Sequence, residues 1–378
     1  MISRRQVLAV ALAAGAMALS DQALAAGWRP AEPPRPDDGV PQTLAAVAGP
    51  GGGAATPGFP VGHLGLAWSG GLRGGGVRFR TRDGWSSWRP LPHGDSPGSD
   101  RRSVLVPAGG ALGYELSPPP GASAVRMVAI NTTDGPRVRR AAGATDGFAV
   151  PGGAAPGQFS KGTRFLSRAG WGADESLRFG ADGAELFPPA YFPVQTLTVH
   201  HTVTANDDPD PAATVRAIYF FHTITQQFGD IGYHLLVDRN GTLYEGRWSG
   251  ADRFPVFADP TSGGPPQMSN GAHVAGFNAG NVGVALLGDL TTNQPTPAAR
   301  RALTRVLAAL AGVTGLDPQG RVSYVNPIDG ARAEVDVIAG HRDWLATECP
   351  GNAFYPALPE IRRDVAALLG NQPKSPGP

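Results

Sequence analysis

Apolar and polar positions alternate in short runs over the first third of the chain. Val77-Arg78-Phe79-Arg80-Thr81-Arg82 puts Val77 and Phe79 on one face of a strand and the arginines on the other. Asp83-Gly84 then signals a tight turn before Trp85 and Trp88. Leu64 to Trp68, Val104 to Val106, Tyr114 to Leu116 and Val125 to Ile130 are further short strand patterns at close intervals. Together they predict a small all-β, sandwich-like unit over residues 58–132. The tryptophans are expected to pack in its core and the arginine face to be solvated; stacking on sugars and contact with an anionic polymer are the alternatives.

The pattern changes over residues 161–370, where strand and helix periods mix. Leu197 to Val203 reads as a strand. Asp210-Pro211 supplies a helix cap and first turn for a helix to about Phe228. His234 to Asp238 and Thr242 to Glu245 flank Asn240-Gly241 as a hairpin. Val282 to Leu287 is almost wholly apolar and is expected at the centre of a sheet. Thr296-Pro297 opens a helix that presents Leu303, Val306, Leu307 and Leu310 on one face. Val335 to Ala339 is another strand, and Pro356 to Leu369 a last helix. The fold class is α/β, a mixed sheet flanked by helices and preceded by the all-β unit.

Composition changes this picture at the edges. The 378 residues exceed one ordinary domain, and 53 glycines with 37 prolines imply long irregular connections. Residues 1–25 read as an export signal: Arg4 and Arg5, an apolar run from Val7 to Leu19, then Ala23-Leu24-Ala25. Ser3-Arg4-Arg5-Gln6-Val7-Leu8 is similar to a twin-arginine signal, with Val7 where phenylalanine is commoner. Export to the periplasm, cell wall or exterior is expected, by the twin-arginine or the ordinary secretory route and with no membrane span in the mature protein; an uncleaved membrane anchor is the alternative. Residues 26–57 are expected to be a disordered spacer, 133–160 a linker and 371–378 a disordered tail. A formal net charge of +1 provides no field for nucleic acid.

Chemistry concentrates in the C-terminal domain. It holds six of the eight histidines and the one cysteine, Cys349. His200 and His201 end a strand, His341 follows another, and Cys349 lies eight residues further on. Side chains at strand ends converge on one rim of a sheet. Two imidazoles and a thiolate suit Zn²⁺ and leave a fourth position for water. Taken alone, the residues also allow a cysteine nucleophile with His341 as its base, or purely structural roles.

Residues 165–369 resemble the peptidoglycan recognition protein and zinc amidase family. The resemblance rests on Ser167-Arg168-Ala169-Gly170-Trp171-Gly172, Val199-His200-His201-Thr202, Asp230-Ile231-Gly232-Tyr233-His234 and Gly241 to Arg247. It continues through Gly271-Ala272-His273 to Asn278, Asn281 to Asp289, Gly340-His341-Arg342 and Thr347-Glu348-Cys349-Pro350-Gly351. The resemblance implies one Zn²⁺ per chain on His200, His341 and Cys349. It makes Tyr233 and Thr347 catalytic, with Thr347 where active members carry lysine or threonine. It assigns His201, Thr202, His222, His273 and Asn278 to a groove for the muramyl peptide. Bacterial peptidoglycan is then the partner, and the implied reaction cuts the amide between the N-acetylmuramoyl lactyl group and L-alanine. Non-catalytic recognition is the alternative, although such members typically lack the cysteine.

Several of these residues also carry plain readings. His222 lies beside Phe220 and Phe221, His201 points away from His200 by strand alternation, and His234 is expected to be structural. The N-terminal unit resembles one found ahead of this domain in exported proteins of high-GC bacteria, on its tryptophan-rich hairpin pattern. Residues 251–270, rich in Pro, Gly and Ser, are expected to form an extended loop at the groove rim.

Overall fold

A computed structural model describes residues 39–48, 51–71, 74–92, 101–138, 145–151, 161–251, 254–258 and 264–370. The export signal and the C-terminal tail expected from sequence lie outside the described residues. The chain divides into two compact units whose segments interleave. One comprises Met1–Ala142, Ala169–Phe187 and Ala212–Asp230; the other comprises Gly143–Arg168, Pro188–Pro211 and Ile231–Pro378.

The first unit is built on two antiparallel sheets. Its strands are β1 (Leu44–Val47), β2 (Gly53–Ala55), β3 (Val61–Ser69), β4 (Gly76–Thr81), β5 (Arg101–Ala111), β6 (Gly113–Ser117) and β7 (Ser123–Asn131). One sheet runs β1-β7-β3-β5; the other runs β2-β6-β4 and continues to Gly84–Trp85. Leu64, Leu66, Val104, Val106 and Met127 from the first sheet meet Val77, Phe79, Tyr114 and Leu116 from the second in one apolar core. The alternation of β4 therefore does what its pattern requires.

Two expectations are corrected here. The supposed spacer over 26–57 contains strands in its described part. Small residues suffice at a sheet edge, where backbone pairing and not side-chain bulk holds Leu44–Val47 to Val128–Asn131. Trp85 and Trp88 do not enter the core: they are 42% and 45% exposed. The Arg78 guanidinium lies 4.9 Å from each ring, and Glu115 pairs with Arg78. The tryptophans thus share the arginine side of the strand, where cation–π contact replaces core burial.

Helix α1 (Pro211–Phe220) serves this unit, not the C-terminal sheet. Thr132 donates its hydroxyl to the Ala213 carbonyl at 2.8 Å, and the Arg216 guanidinium donates to the carbonyls of Trp171 and Thr132. The α-helix stops at Phe220 instead of reaching Phe228. A wider π turn follows over Phe221–Thr225, in which Gln226 N–H donates to the Phe221 carbonyl at 2.9 Å.

The second unit holds a seven-stranded sheet. Its strands include β8 (Arg164–Leu166), β9 (Thr196–His201), β10 (Leu235–Val237), β11 (Leu243–Glu245), β12 (Asn281–Leu286) and β13 (Ile338–Gly340). Starting from Thr145–Asp146, the order is β8-β11-β10-β12-β9-β13. β12 is central, parallel to β10 on one side and to β9 on the other, as its apolar run requires. The edge strand Thr145–Asp146 lies in the expected linker, and Phe148 and Val150 after it are buried in the core.

Helices α2 (Pro297–Thr314) and α3 (Leu358–Gly370) pack on this core. Thr296 caps α2 by accepting from Ala299 N–H at 3.1 Å, and Gly315 ends it at φ 69°, a left-handed conformation glycine adopts without strain. The expected Val335 to Ala339 strand divides between a hairpin strand, Arg332–Asp336, and β13. Within 251–270, Val256 and Phe257 are core residues and Gln267–Ser269 pairs with Tyr191–Pro193, so this stretch is anchored at both described parts. Among the described residues no helix is long and apolar enough to cross a membrane.

The β3 residue His63 is buried with no partner for Nδ1 among the described residues, and burial lowers its pKa to about 4. Its folded pKa is below the unfolded value near 6.5, so acid favours the unfolded state. Its contribution is complete above about pH 6.5 and is lost as pH falls toward about 4. His63→Gln should make the fall in stability over that window shallower by up to about 1.4 kcal/mol per pH unit. Urea midpoints measured against pH for both proteins check this.

Candidate metal centre

Strand β9 sorts its side chains to two faces. Leu197 and Val199 enter the helix-packed core, while Thr198 and His200 face the other way. Register places Gly283 and Ala285 of β12 opposite Thr198 and His200. Small neighbours thus leave room for imidazoles on this face. Parallel pairing also brings β13 beside β9, with Val199 opposite Gly340, so His341 emerges next to His200.

The structure brings together His200, His341 and Cys349. One ligand atom from each lies within 4.8 Å of the others, and all three residues are buried. His200 Nδ1 is 3.6 Å from Cys349 Sγ. Among the described residues, His341 Nε2 is buried with no hydrogen-bond partner, a costly state for a polar atom unless a ligand completes it. Burial holds His200 well below the usual histidine range, with the neighbouring His341 and His273 adding to the effect. Burial likewise lowers His341 to about 3, with His273 and His201 contributing. Both rings are therefore neutral and carry lone pairs. Zn–N and Zn–S bonds of about 2.0–2.3 Å in a tetrahedral array suit a donor set of this kind and spacing. The residues present fit a zinc ion.

Tyr233 stands beside this cluster, its ring centre 5.1 Å from that of His200. The Thr347 hydroxyl oxygen accepts from Cys349 N–H at 3.0 Å, which holds it in the cysteine's loop.

The residues that the resemblance assigns to a groove divide. Thr202 bonds Thr204 at 2.8 Å and accepts from Gly288 N–H. His201 turns to the opposite face from His200, where Nδ1 accepts from Leu290 N–H at 3.0 Å. Its own backbone N–H points at Cys349 Sγ, 3.4 Å away. Asn278 accepts from the N–H groups of His273 and Val274, both at 2.8 Å, and so shapes their turn.

His273 does not offer itself to a groove. It is buried, and both its ring nitrogens are engaged, by His200 at 3.0 Å and by the Asn281 carbonyl at 2.9 Å. His222 lies in the π turn of the first unit with Phe221 and Phe228 against its ring. His234 is structural as expected: Nδ1 accepts from Gly283 N–H and Nε2 donates to the Ser269 carbonyl.

A family model described as N-acetylmuramoyl-L-alanine amidase matches residues 190–352. A peptidoglycan recognition protein from Bombyx mori is 30% identical over 166 residues, 43% of this chain and 67% of that protein. The chain belongs to the N-acetylmuramoyl-L-alanine amidase and peptidoglycan recognition protein family. The human N-acetylmuramoyl-L-alanine amidase is 32% identical over 171 residues, 44% of this chain but 24% of the human protein, so this chain spans about a quarter of that relative. The solved structure of Drosophila PGRP-LB has a TM-score of 0.37 and 25% identity, covering 52% of this chain and 92% of its own.

In this amidase-family domain, one residue that the sequence reading left without a role organises the cysteine loop. Arg342 donates from its side chain to the carbonyl oxygens of Cys349 and Glu348 and to Asn352, while its backbone N–H also donates to Cys349. Its guanidinium lies over the Tyr355 ring. Its position next to His341 was the one available signal. Arg342→Ala should cost about 1–3 kcal/mol through the lost charge-assisted bonds. Amide exchange at Gly351, whose N–H donates to the Glu348 carbonyl, should accelerate with it, and hydrogen-exchange mass spectrometry reads both.

Proposed function

We propose that the second unit is a zinc-dependent amidase that cuts the bond between the muramoyl lactyl group and L-alanine of the peptidoglycan stem. The observation that carries the reading is the buried convergence of His200 Nδ1, His341 and Cys349 Sγ, with His341 Nε2 otherwise unsatisfied. Family membership supports it, since relatives over this stretch include proteins named as N-acetylmuramoyl-L-alanine amidases.

These three residues would hold the ion. When bound, zinc would supply Lewis acidity and a water of lowered pKa. The chain supplies the rest. Tyr233, at the edge of the cluster, directs its hydroxyl to the scissile carbonyl oxygen and stabilises charge that develops there. Thr347 is the second donor for that oxygen, held in place through Cys349 N–H. Thr202 and the turn shaped by Asn278 border the peptide stem. Burial of the histidines keeps them unprotonated and excludes bulk water, which strengthens each polar contact with the substrate.

A cysteine nucleophile fits less well. Cys349 is 2% exposed, and its sulfur is backed by the His201 main chain, so a carbonyl has little access to it. Export is part of the proposal and rests on the Arg4-Arg5 signal. Recognition without cleavage is the second reading, because relatives at 28% and 30% identity are named recognition proteins.

Digestion of purified peptidoglycan, with mass spectrometry of released peptides, tests the proposal. Stem peptides with a free L-alanine amine should appear, vanish with chelator and return with zinc. Wall binding without release would favour recognition instead. Cys349→Ser and His341→Ala should each abolish zinc uptake and release. Tyr233→Phe should keep its zinc and lose about 100-fold in turnover, the order expected for one lost oxyanion donor.

A further inference from the structure

We infer that His273 is a positioning residue that fixes the tautomer of His200 and so turns its Nδ1 toward the metal. The inference rests on the zinc reading above and deepens it. Hydrogen-bond direction carries the argument. His273 Nε2 lies 2.9 Å from the Asn281 carbonyl oxygen, which can only accept. The proton of this ring is therefore on Nε2, and Nδ1 of the neutral ring is an acceptor. His200 Nε2 lies 3.0 Å from that Nδ1 and must donate to it. With its proton on Nε2, His200 keeps a lone pair on Nδ1, the atom 3.6 Å from Cys349 Sγ.

The relay has a rigid anchor. Trp344 Nε1 donates to the Thr198 hydroxyl at 2.9 Å, and that hydroxyl donates to Asn281 Oδ1 at 2.8 Å. The Asn281 amide also donates to the Phe277 carbonyl at 3.0 Å. The His273 ring itself is boxed by glycines. A Cβ on Gly283 would stand 2.7 Å from the ring, and one on Gly271 would stand 2.8 Å from it. Metal-ligating histidines commonly donate their second N–H to a carboxylate or carbonyl, which fixes the ring and raises its basicity. Here a second imidazole passes that role from a backbone carbonyl to the ligand.

Zinc affinity of the full chain, measured by competition with a chromophoric chelator, tests the assignment through His273→Phe and His273→Asn. Phenylalanine keeps the ring and removes the acceptor; asparagine restores an acceptor oxygen near Nδ1. The phenylalanine variant should bind zinc about 10–100-fold more weakly, and the asparagine variant should recover most of that loss. The histidine ring ¹⁵N spectrum of the metal-free wild type should show His200 protonated on Nε2 alone, a readout that does not depend on how the variants fold. Wild type that binds zinc while the phenylalanine variant matches its affinity would overturn the relay and leave the zinc reading intact. So would asparagine behaving like phenylalanine, or His200 protonated on Nδ1. Wild type that binds no zinc would overturn the zinc reading, and the relay with it.

Discussion

Parallel pairing of β9 between β12 and β13 is the constraint on which the candidate centre depends. It sets His200 opposite Ala285 and Val199 opposite Gly340. Parallel strands end at the same rim of a sheet, so the residue after β13 arrives beside the residue near the end of β9. A slip of one residue in β9 would place His200 in the apolar core and Val199 at the centre. The apolar face of the same strands blocks that slip. Leu197, Val199, Val282, Val284 and Leu286 already fill one continuous core with α2 and α3.

That arrangement lets polar groups be buried at tolerable cost. Thr198, His200, Asn281 and His273 all lie inside, and each donates or accepts within a connected network. A fully connected network also gives a rigid frame, because moving one member breaks bonds to two others. Beside this network, His341 Nε2 is buried without a hydrogen-bond partner among the described residues. Arg342 extends the frame outward to the cysteine loop.

Much of this was legible in the sequence. Alternation in Val77 to Arg82, the apolar run after Asn281 and the Thr296-Pro297 start each encode a local structure, and each element formed. The grouping of His200, His341 and Cys349 followed from strand-end placement together with family resemblance. Other features depend on partners distant in the chain. Nothing local shows that Leu44–Val47 will pair with β7, or that Arg78 will draw Trp85 and Trp88 to the outer face. For His273 the motif names a position and not a direction. Its true surroundings depend on the absence of side chains at Gly271 and Gly283, which is visible only in three dimensions. The end of α1 at Phe220 is similar: the composition suits a helix, and the wider turn after it is set by tertiary packing.

The interleaving of the two units has a consequence for biosynthesis. The first unit takes chain from three separated stretches, the last of them Ala212–Asp230. Strand β3 is translated early, but the space left by Gly65 is filled by Phe221, more than 150 residues later. Thr132 likewise waits for Ala213 and Arg216. A nascent β-sandwich on the ribosome therefore lacks part of its covering until two segments of the second unit, Gly143–Arg168 and Pro188–Pro211, have also emerged. The first unit cannot close before Asp230 is made, and a chain released earlier would expose an incomplete surface at the stage when aggregation is easiest.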